Sequence, residues 1–149
     1  MTVDKRFREM VETDLQQIMR IERQCHLVPW SASIFKDCMD VGYHCLVLEQ
    51  DHAVIAYAVM SVAVNEAHIF NICVSNKFQR KGYGREVLDY LIGMARLAKA
   101  NSIYLEVRPS NVAAVSLYKN MGFSQIGVRK NYYPAQDGRE DALIFAFDL

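Results

Sequence analysis

The chain has 149 residues, 52% hydrophobic and 23% charged, which suits one sizeable core and is too short for two ordinary domains, so residues 1–149 are expected to form a single domain. Lys plus Arg and Asp plus Glu each number 17, leaving no net charge to draw the chain to nucleic acid or to an acidic membrane surface. Without an apolar run of about 18 residues or an apolar segment behind the charged start MTVDKRFREM, neither a membrane span nor a secretory leader is expected.

In chain order, a short strand is expected around Phe7 to Met10. Thr13-Asp14-Leu15-Gln16 has the form of a capping box, with Leu15, Ile18 and Met19 following at helical spacing. A second short helix is expected from near Ser31 to Gly42. Three apolar runs follow, His44 to Glu49, Ala53 to Val62 and Ala67 to Val74, the first two separated by Gln50-Asp51-His52; they predict an antiparallel meander. Leu88, Leu91, Ile92 and Ala95 predict a helix from about Gly82 to Ala100, and Ser102 to Arg108 returns to strand alternation with Ile103, Leu105 and Val107 on one face.

A strand, helix, strand unit needs a crossover, so the strands ending at Val74 and Arg108 should be parallel and adjacent or nearly so. A helix from about Asn111 to Met121 should stop at Gly122 in a left-handed conformation. Strands around Phe123 to Arg129 and Ala142 to Leu149 close the chain. The fold class is therefore α/β, a mixed and mostly antiparallel sheet with helices on both faces.

Cys25, Cys38, Cys45 and Cys73 lack CxxC spacing and lie mostly in apolar or mixed segments, as buried reduced thiols do, which fits a cytoplasmic protein. His26, His44, His52 and His68 share no helical or hairpin spacing with a cysteine or carboxylate pair, so no metal site is expected.

Two segments carry candidate chemistry. Gln79-Arg80-Lys81-Gly82-Tyr83-Gly84 lies between an apolar strand and an amphipathic helix, where unpaired N–H groups, flexible glycines and the charges of Arg80, Lys81 and Arg85 can cradle a phosphate. It matches neither the triphosphate loop nor the dinucleotide fingerprint; its bland alternative is a capped helix with solvated bases. The second is Leu105-Glu106-Val107-Arg108 followed by Asn111 and Tyr118. Glu106 has the opposite strand parity to Leu105 and Val107, while Asn111 and Tyr118 share a helix face, about 10 Å apart along the axis. Both segments fall at the carboxyl ends of the parallel strands, where open α/β sheets bind ligands.

Gln79-x-x-Gly82-x-Gly84 after Ile72-Cys73-Val74, with Asn111 and Leu117-Tyr118-x-x-x-Gly122-Phe123, resembles the GCN5-related N-acetyltransferase (GNAT) superfamily. The stretches Phe70 to Val74, Leu105 to Asn111 and Arg129 to Pro134, with Glu140-Asp141-Ala142, resemble its RimI branch, the bacterial ribosomal-protein-alanine N-acetyltransferases. Pro109 departs from the small non-proline residue frequent in that branch and should stiffen the turn.

The resemblance implies the GNAT fold, about seven strands splayed at a parallel pair, with acetyl-CoA in place of the missing sheet partner. It implies that Ile72, Cys73 and Val74 pair by backbone with the pantetheine arm, that Gln79, Arg80, Lys81, Gly82, Tyr83, Gly84 and Arg85 form the pyrophosphate loop, and that Asn111 contacts the cofactor. Glu106 would be the general base and Tyr118 the general acid. The implied partner is a protein N-terminus, that of ribosomal protein S18, and the chain would act as a monomer or weak dimer.

That chemistry suits these groups. A peptide α-amine, pKa about 7.7–8.0, is partly neutral near pH 7 and a carboxylate can take its proton, whereas lysine near 10.4 asks far more of the same base. A tyrosine, pKa about 10, stays neutral until it protonates a thiolate. Tyr132 and Tyr133 are candidate substrate contacts, with inward packing as the alternative. Trp30 would wall the peptide slot or pack in the core. Rival functions are a GNAT acting on another peptide, a lysine or a small amine, and a non-catalytic acetyl-CoA-binding module.

Overall fold

The three central apolar runs become consecutive antiparallel strands, β2 (His44–Gln50), β3 (Ala53–Ala63) and β4 (Glu66–Val74), in a computed structural model that describes residues 4–149. β1 (Lys5–Glu9) pairs antiparallel with β2, and β5 (Ser102–Val107) lies parallel beside β4. β6 (Ser124–Ala135) and β7 (Gly138–Asp148) complete a seven-stranded sheet of order β1-β2-β3-β4-β5-β7-β6. Its one parallel pair is the β4–β5 crossover that the strand, helix, strand pattern requires.

Helices cover both faces. On one, α3 (Tyr83–Leu97) and α4 (Val112–Asn120) enclose a core that includes Leu46, Leu48, Met60, Leu88, Leu91 and Phe145. On the other, α1 (Leu15–Cys25) and α2 (Ala32–Asp40) bury Ile18 and Phe35 against Val47 and Tyr57. Neighbouring β2 residues such as Val47 and Leu48 thus enter different cores, as the period-two pleat dictates. Ser31 caps α2, its Oγ accepting from Ile34 N at 3.3 Å. Gly122 ends α4 at φ +102, where a Cβ would sit 3.2 Å from the Phe147 ring.

Two boundaries differ from the sequence expectation. Thr13 does not cap α1: a short 3-10 turn, Glu12–Asp14, precedes the helix, and Asp14 reaches back to accept from Val11 N at 2.8 Å. The same carboxylate receives both terminal nitrogens of Arg8 at 2.8 Å, so the reach-back bond expected of Gln16 is made by Asp14 at the preceding turn, braced by a charge-assisted pair. The last two strands are also longer than expected. β6 continues through the paired tyrosines to Ala135, because an edge strand tolerates Pro134 and a left-handed Gly138 (φ +106) closes the hairpin.

The Arg8 guanidinium beside Asp14 holds its carboxyl below the usual carboxylate range, against the opposing cost of burial. A group depressed on folding contributes stability above its unfolded pKa of about 3.9 and loses it as pH falls through the folded value. Asp14→Asn should therefore lower unfolding free energy at pH 7 by about 1.5–3 kcal/mol, and urea titrations should show the gap to wild type closing below about pH 4.

Candidate active site

The β4–β5 ladder runs from Glu66↔Ser102 to Ile69↔Leu105 and stops. At the same point the β3–β4 register shifts, Val59 facing Asn71 and Met60 facing Ile69, so Phe70 is an unpaired bulge. The extra residue reverses the strand's parity. Ala67 and Ile69 face the α3–α4 core before it, Ile72 and Val74 pack against that core after it, and Asn71 and Cys73 turn to the α1–α2 face.

Hydrogen bonding at the strand ends shows where the free backbone points. Ser75 N donates to Ile55 O at 2.8 Å, which in an antiparallel ladder puts Cys73 and Asn71 on the bonded side with β3 and turns the N–H and C=O of Ile72 and Val74 the other way, into the opening. Leu149 N donates to Asn101 O at 2.9 Å, which by the same alternation turns the backbone of Glu106 toward the opening from β5. Of the Ile72-Cys73-Val74 trio, Cys73 therefore offers no backbone group there; its side chain is buried at 6% exposure. The Val74 carbonyl already accepts from Gln79 Nε2 at 2.9 Å.

Gln79 is thus folded back onto β4 rather than into the glycine turn. Behind it, Arg80 (φ +62) and Gly82 (φ +87) are left-handed, and the first backbone bond of α3 is Glu86 N to Gly82 O. The N–H groups of Tyr83, Gly84 and Arg85 precede that bond and have no helical partner. Gly84 serves close packing rather than positive φ: a Cβ there would lie 3.3 Å from Leu117 Cδ2 on α4. The Tyr83 hydroxyl points elsewhere, to Gln50 Oε1 at 3.0 Å. Lys81 and Arg85 are exposed.

A cleft of about 330 Å³ opens at the end of the ladder, and Glu106, Tyr118, Asn111, Trp30 and Tyr133 all line it. An adjoining cleft of about 430 Å³ shares Glu106, Trp30 and Tyr133 and adds Tyr132. Glu106 comes from the sheet face opposite Leu105 and Val107, Tyr118 from α4 on the other side, and only the opening lets them share one cavity. One Glu106 oxygen pairs with Arg129 Nε at 3.3 Å; the other, Oε2, is buried without a partner. Arg108, which follows β5, pairs with Glu140 at 3.2 Å.

Tyr118 is 5% exposed, packed on the rings of Phe123 and Phe145. Burial, with smaller contributions from Tyr133 and Cys73, raises its pKa above the ordinary tyrosine value, so the phenol is neutral at physiological pH. Asn111 caps α4, its Oδ1 accepting from Ala114 N at 3.2 Å, which leaves its Nδ2 for any ligand. Tyr133 stacks on the Arg108 guanidinium at 4.4 Å, and burial, then Glu106 and Tyr132, pushes its hydroxyl up to about 12. Tyr132 is 46% exposed, with the Arg129 guanidinium 5.5 Å from its ring centre. Trp30 lines both clefts and packs edge-on against Phe35 at 5.1 Å.

The walls are tied by carboxylates. Glu140 on β7 accepts from Ser110 N at 2.8 Å and Ser110 Oγ at 3.0 Å as well as from Arg108. Asp141 accepts from Asn131 N at 2.9 Å, where a second bulge with Asn131 at φ +53 sets Tyr132 and Tyr133.

Several residues at the site escaped the sequence expectation, Glu22 above all. Glu22 lines the cleft at 1% exposure and accepts from the Tyr57 hydroxyl at 2.6 Å, Trp30 N at 3.0 Å and Asn71 Nδ2 at 3.1 Å. The signal was present: Leu15, Ile18, Met19 and Glu22 form one helical stripe, and a carboxylate on a core stripe is a buried polar group that needs a reason.

The acetyltransferase (GNAT) family model matches residues 15–123. The ribosomal protein bS18-alanine N-acetyltransferase of Escherichia coli K12 is 40% identical over 137 residues, 92% of this chain and 93% of that protein. The enzyme of the same name from Haemophilus ducreyi is 39% identical over 141 residues, covering 94% and 97%. The crystal structure of the Escherichia coli ribosomal-protein-S18-alanine N-acetyltransferase superposes with a TM-score of 0.90 at 38% identity, covering 97% of this chain and 94% of that one.

Glu140→Ala should release the exposed Ser110 amide to water and leave Arg108 only the Pro134 carbonyl, lowering unfolding free energy by about 1 kcal/mol. Hydrogen exchange at Ser110 N should accelerate more than at the central β3 amides, which open only with the whole sheet.

Proposed function

Because the chain belongs to the acetyltransferase (GNAT) family, we propose that it moves an acetyl group from acetyl-CoA to the α-amine of a protein N-terminus, with the N-terminal alanine of ribosomal protein S18 as its substrate. The observation that carries this reading is the meeting of Glu106 and Tyr118, from opposite faces of the sheet, in one cleft at the β4–β5 opening. The substrate assignment is supported by the likeness to enzymes named for that reaction over more than nine-tenths of the chain.

The residues present fit the cofactor. Ile72 and Val74 turn N–H groups into the opening, where they can donate to a pantetheine arm lying as a substitute strand. The unpaired N–H groups of Tyr83, Gly84 and Arg85 at the start of the 15-residue α3, with the positive end of its dipole and the charges of Arg80, Lys81 and Arg85, suit a diphosphate. Asn111 Nδ2 is placed on the cleft wall to donate to the same ligand. Bound acetyl-CoA supplies the thioester carbon that the amine attacks.

Glu106 then acts as general base: the buried, unpartnered Oε2 takes the proton that leaves the attacking nitrogen, while Arg129 holds the other oxygen. Tyr118 acts as general acid, its neutral phenol delivering a proton to the departing sulfur. Trp30 and Tyr133 form two walls of the slot that admits the peptide, and Tyr132 extends it.

The purified protein, incubated with acetyl-CoA and a hexapeptide beginning with alanine, should add one acetyl group at the α-amine and release one thiol per peptide. Acetyl found only on a lysine side chain, or none at all, would overturn the assignment. Glu106→Gln and Tyr118→Phe should each lower kcat by roughly 10²- to 10⁴-fold while acetyl-CoA affinity holds. An undiminished rate in either variant would remove that residue from the mechanism.

A further inference from the structure

Among the described residues, three side-chain polar atoms are buried with no hydrogen-bond partner in the protein: Asn71 Oδ1, Glu106 Oε2 and His26 Nε2, the last of which still lies 3.5 Å from Glu22 Oε1. All three residues line the same cleft. Buried polar groups are nearly always paired, so orphans converging on one cavity mark where a ligand's own polar groups go. Glu106 Oε2 has a role in the proposed reaction. Asn71 Oδ1, a neutral acceptor, has none yet.

The orientation of Asn71 follows from its neighbour. Its Nδ2 donates to Glu22 Oε1 at 3.1 Å, an oxygen that also accepts from the Tyr57 hydroxyl, so the amide nitrogen lies on Glu22 and its oxygen is left without a partner. Glu22 is itself fixed by the Tyr57 hydroxyl and Trp30 N. Asn71 is 7% exposed and stands immediately after the Phe70 bulge, where β4 leaves β5.

We propose that Asn71 Oδ1 is the second acceptor for the substrate α-amine, beside Glu106 Oε2, and that Glu22 is the positioning residue that keeps the acceptor end of that amide in the cleft. The inference rests on the amine acetylation proposed above. A neutral primary amine attacks through its lone pair and carries two N–H bonds. One proton passes to Glu106 as the new C–N bond forms and the C–S bond breaks; the other stays on nitrogen and becomes the amide N–H. Asn71, uncharged, holds that remaining N–H without competing for the proton, so the lone pair is aimed at the thioester. The site should therefore prefer primary α-amines to secondary ones, which must leave one acceptor unfilled.

The test is a cycle of enzyme variants against two peptides, one beginning with alanine and one with N-methylalanine, with acetyl-CoA affinity and melting temperature followed in parallel. Wild type should lose roughly 10- to 100-fold in kcat/KM on N-methylation, the usual consequence of leaving one buried acceptor unpaired. Asn71→Leu should lose a similar factor on the alanine peptide, mostly through KM, and then discriminate less than about threefold between the two.

Glu22→Gln keeps the shape but offers a donor as well as an acceptor, freeing the Asn71 amide to invert; it should show the same loss of discrimination, with acetyl-CoA affinity unchanged. This second variant decides the matter should Asn71→Leu fail to fold. Variants that discriminate between the peptides as strongly as wild type overturn the inference and leave the acetylation intact. A wild-type protein that acetylates neither peptide overturns both.

Discussion

The structure depends on a ladder that ends partway along a sheet. β4 and β5 are bonded only over Glu66 to Ile69 and Ser102 to Leu105, and beyond that the backbones of Ile72, Val74 and Glu106 face each other across an opening. Backbone groups in the middle of a sheet carry a heavy penalty if left unpaired and dry, so such an opening persists only where water or a ligand reaches it. The Phe70 bulge makes the divergence possible. By adding one residue it lets β4 keep its pairing with β3 while reversing which side chains face which core.

That opening solves a geometric problem. In a closed sheet, a side chain on one face cannot touch one on the other, because the backbone layer lies between them. Glu106 belongs to the face opposite the α3–α4 core and Tyr118 to a helix within that core. Where the sheet parts, the two enter one cavity, so a carboxylate and a phenol line the same space. The rim is then held by charge-assisted bonds, Glu140 to Ser110 and Arg108, and Asp141 to Asn131, which link β7 to the β5–α4 turn and to the bulged β6.

Burying Glu22 runs against the hydrophobic logic of α1. An apolar residue at that position would pack at least as well, since buried charges seldom add net stability. Its three donors come from Tyr57 on β3, Asn71 on β4 and the chain at Trp30, so the carboxylate ties the floor of the cleft to its wall. Organisation of the site is the physical return on that desolvation. Asn71, whose Oδ1 is left unpaired, is held by Glu22, and among the described residues every buried side-chain atom without a partner belongs to a residue lining this cleft.

Periodicity alone determined much of this protein. The meander, the crossover to a parallel β5, the opposite facing of Glu106 and Leu105, and the stop at Gly122 all follow from rules that act within a dozen residues, where pleat, helical turn and left-handed glycine leave few choices. The motif residues likewise singled out Glu106 and Tyr118, which line one cleft, and the glycine turn ahead of α3. Tertiary structure decided whatever depends on distant partners: the ladder's end separated Cys73 from Ile72 and Val74, and the third helical turn of α1 placed Glu22 beneath Asn71. Which atoms meet across a parted sheet is set by strand register and bulges, and those are consequences of packing that no local spacing encodes.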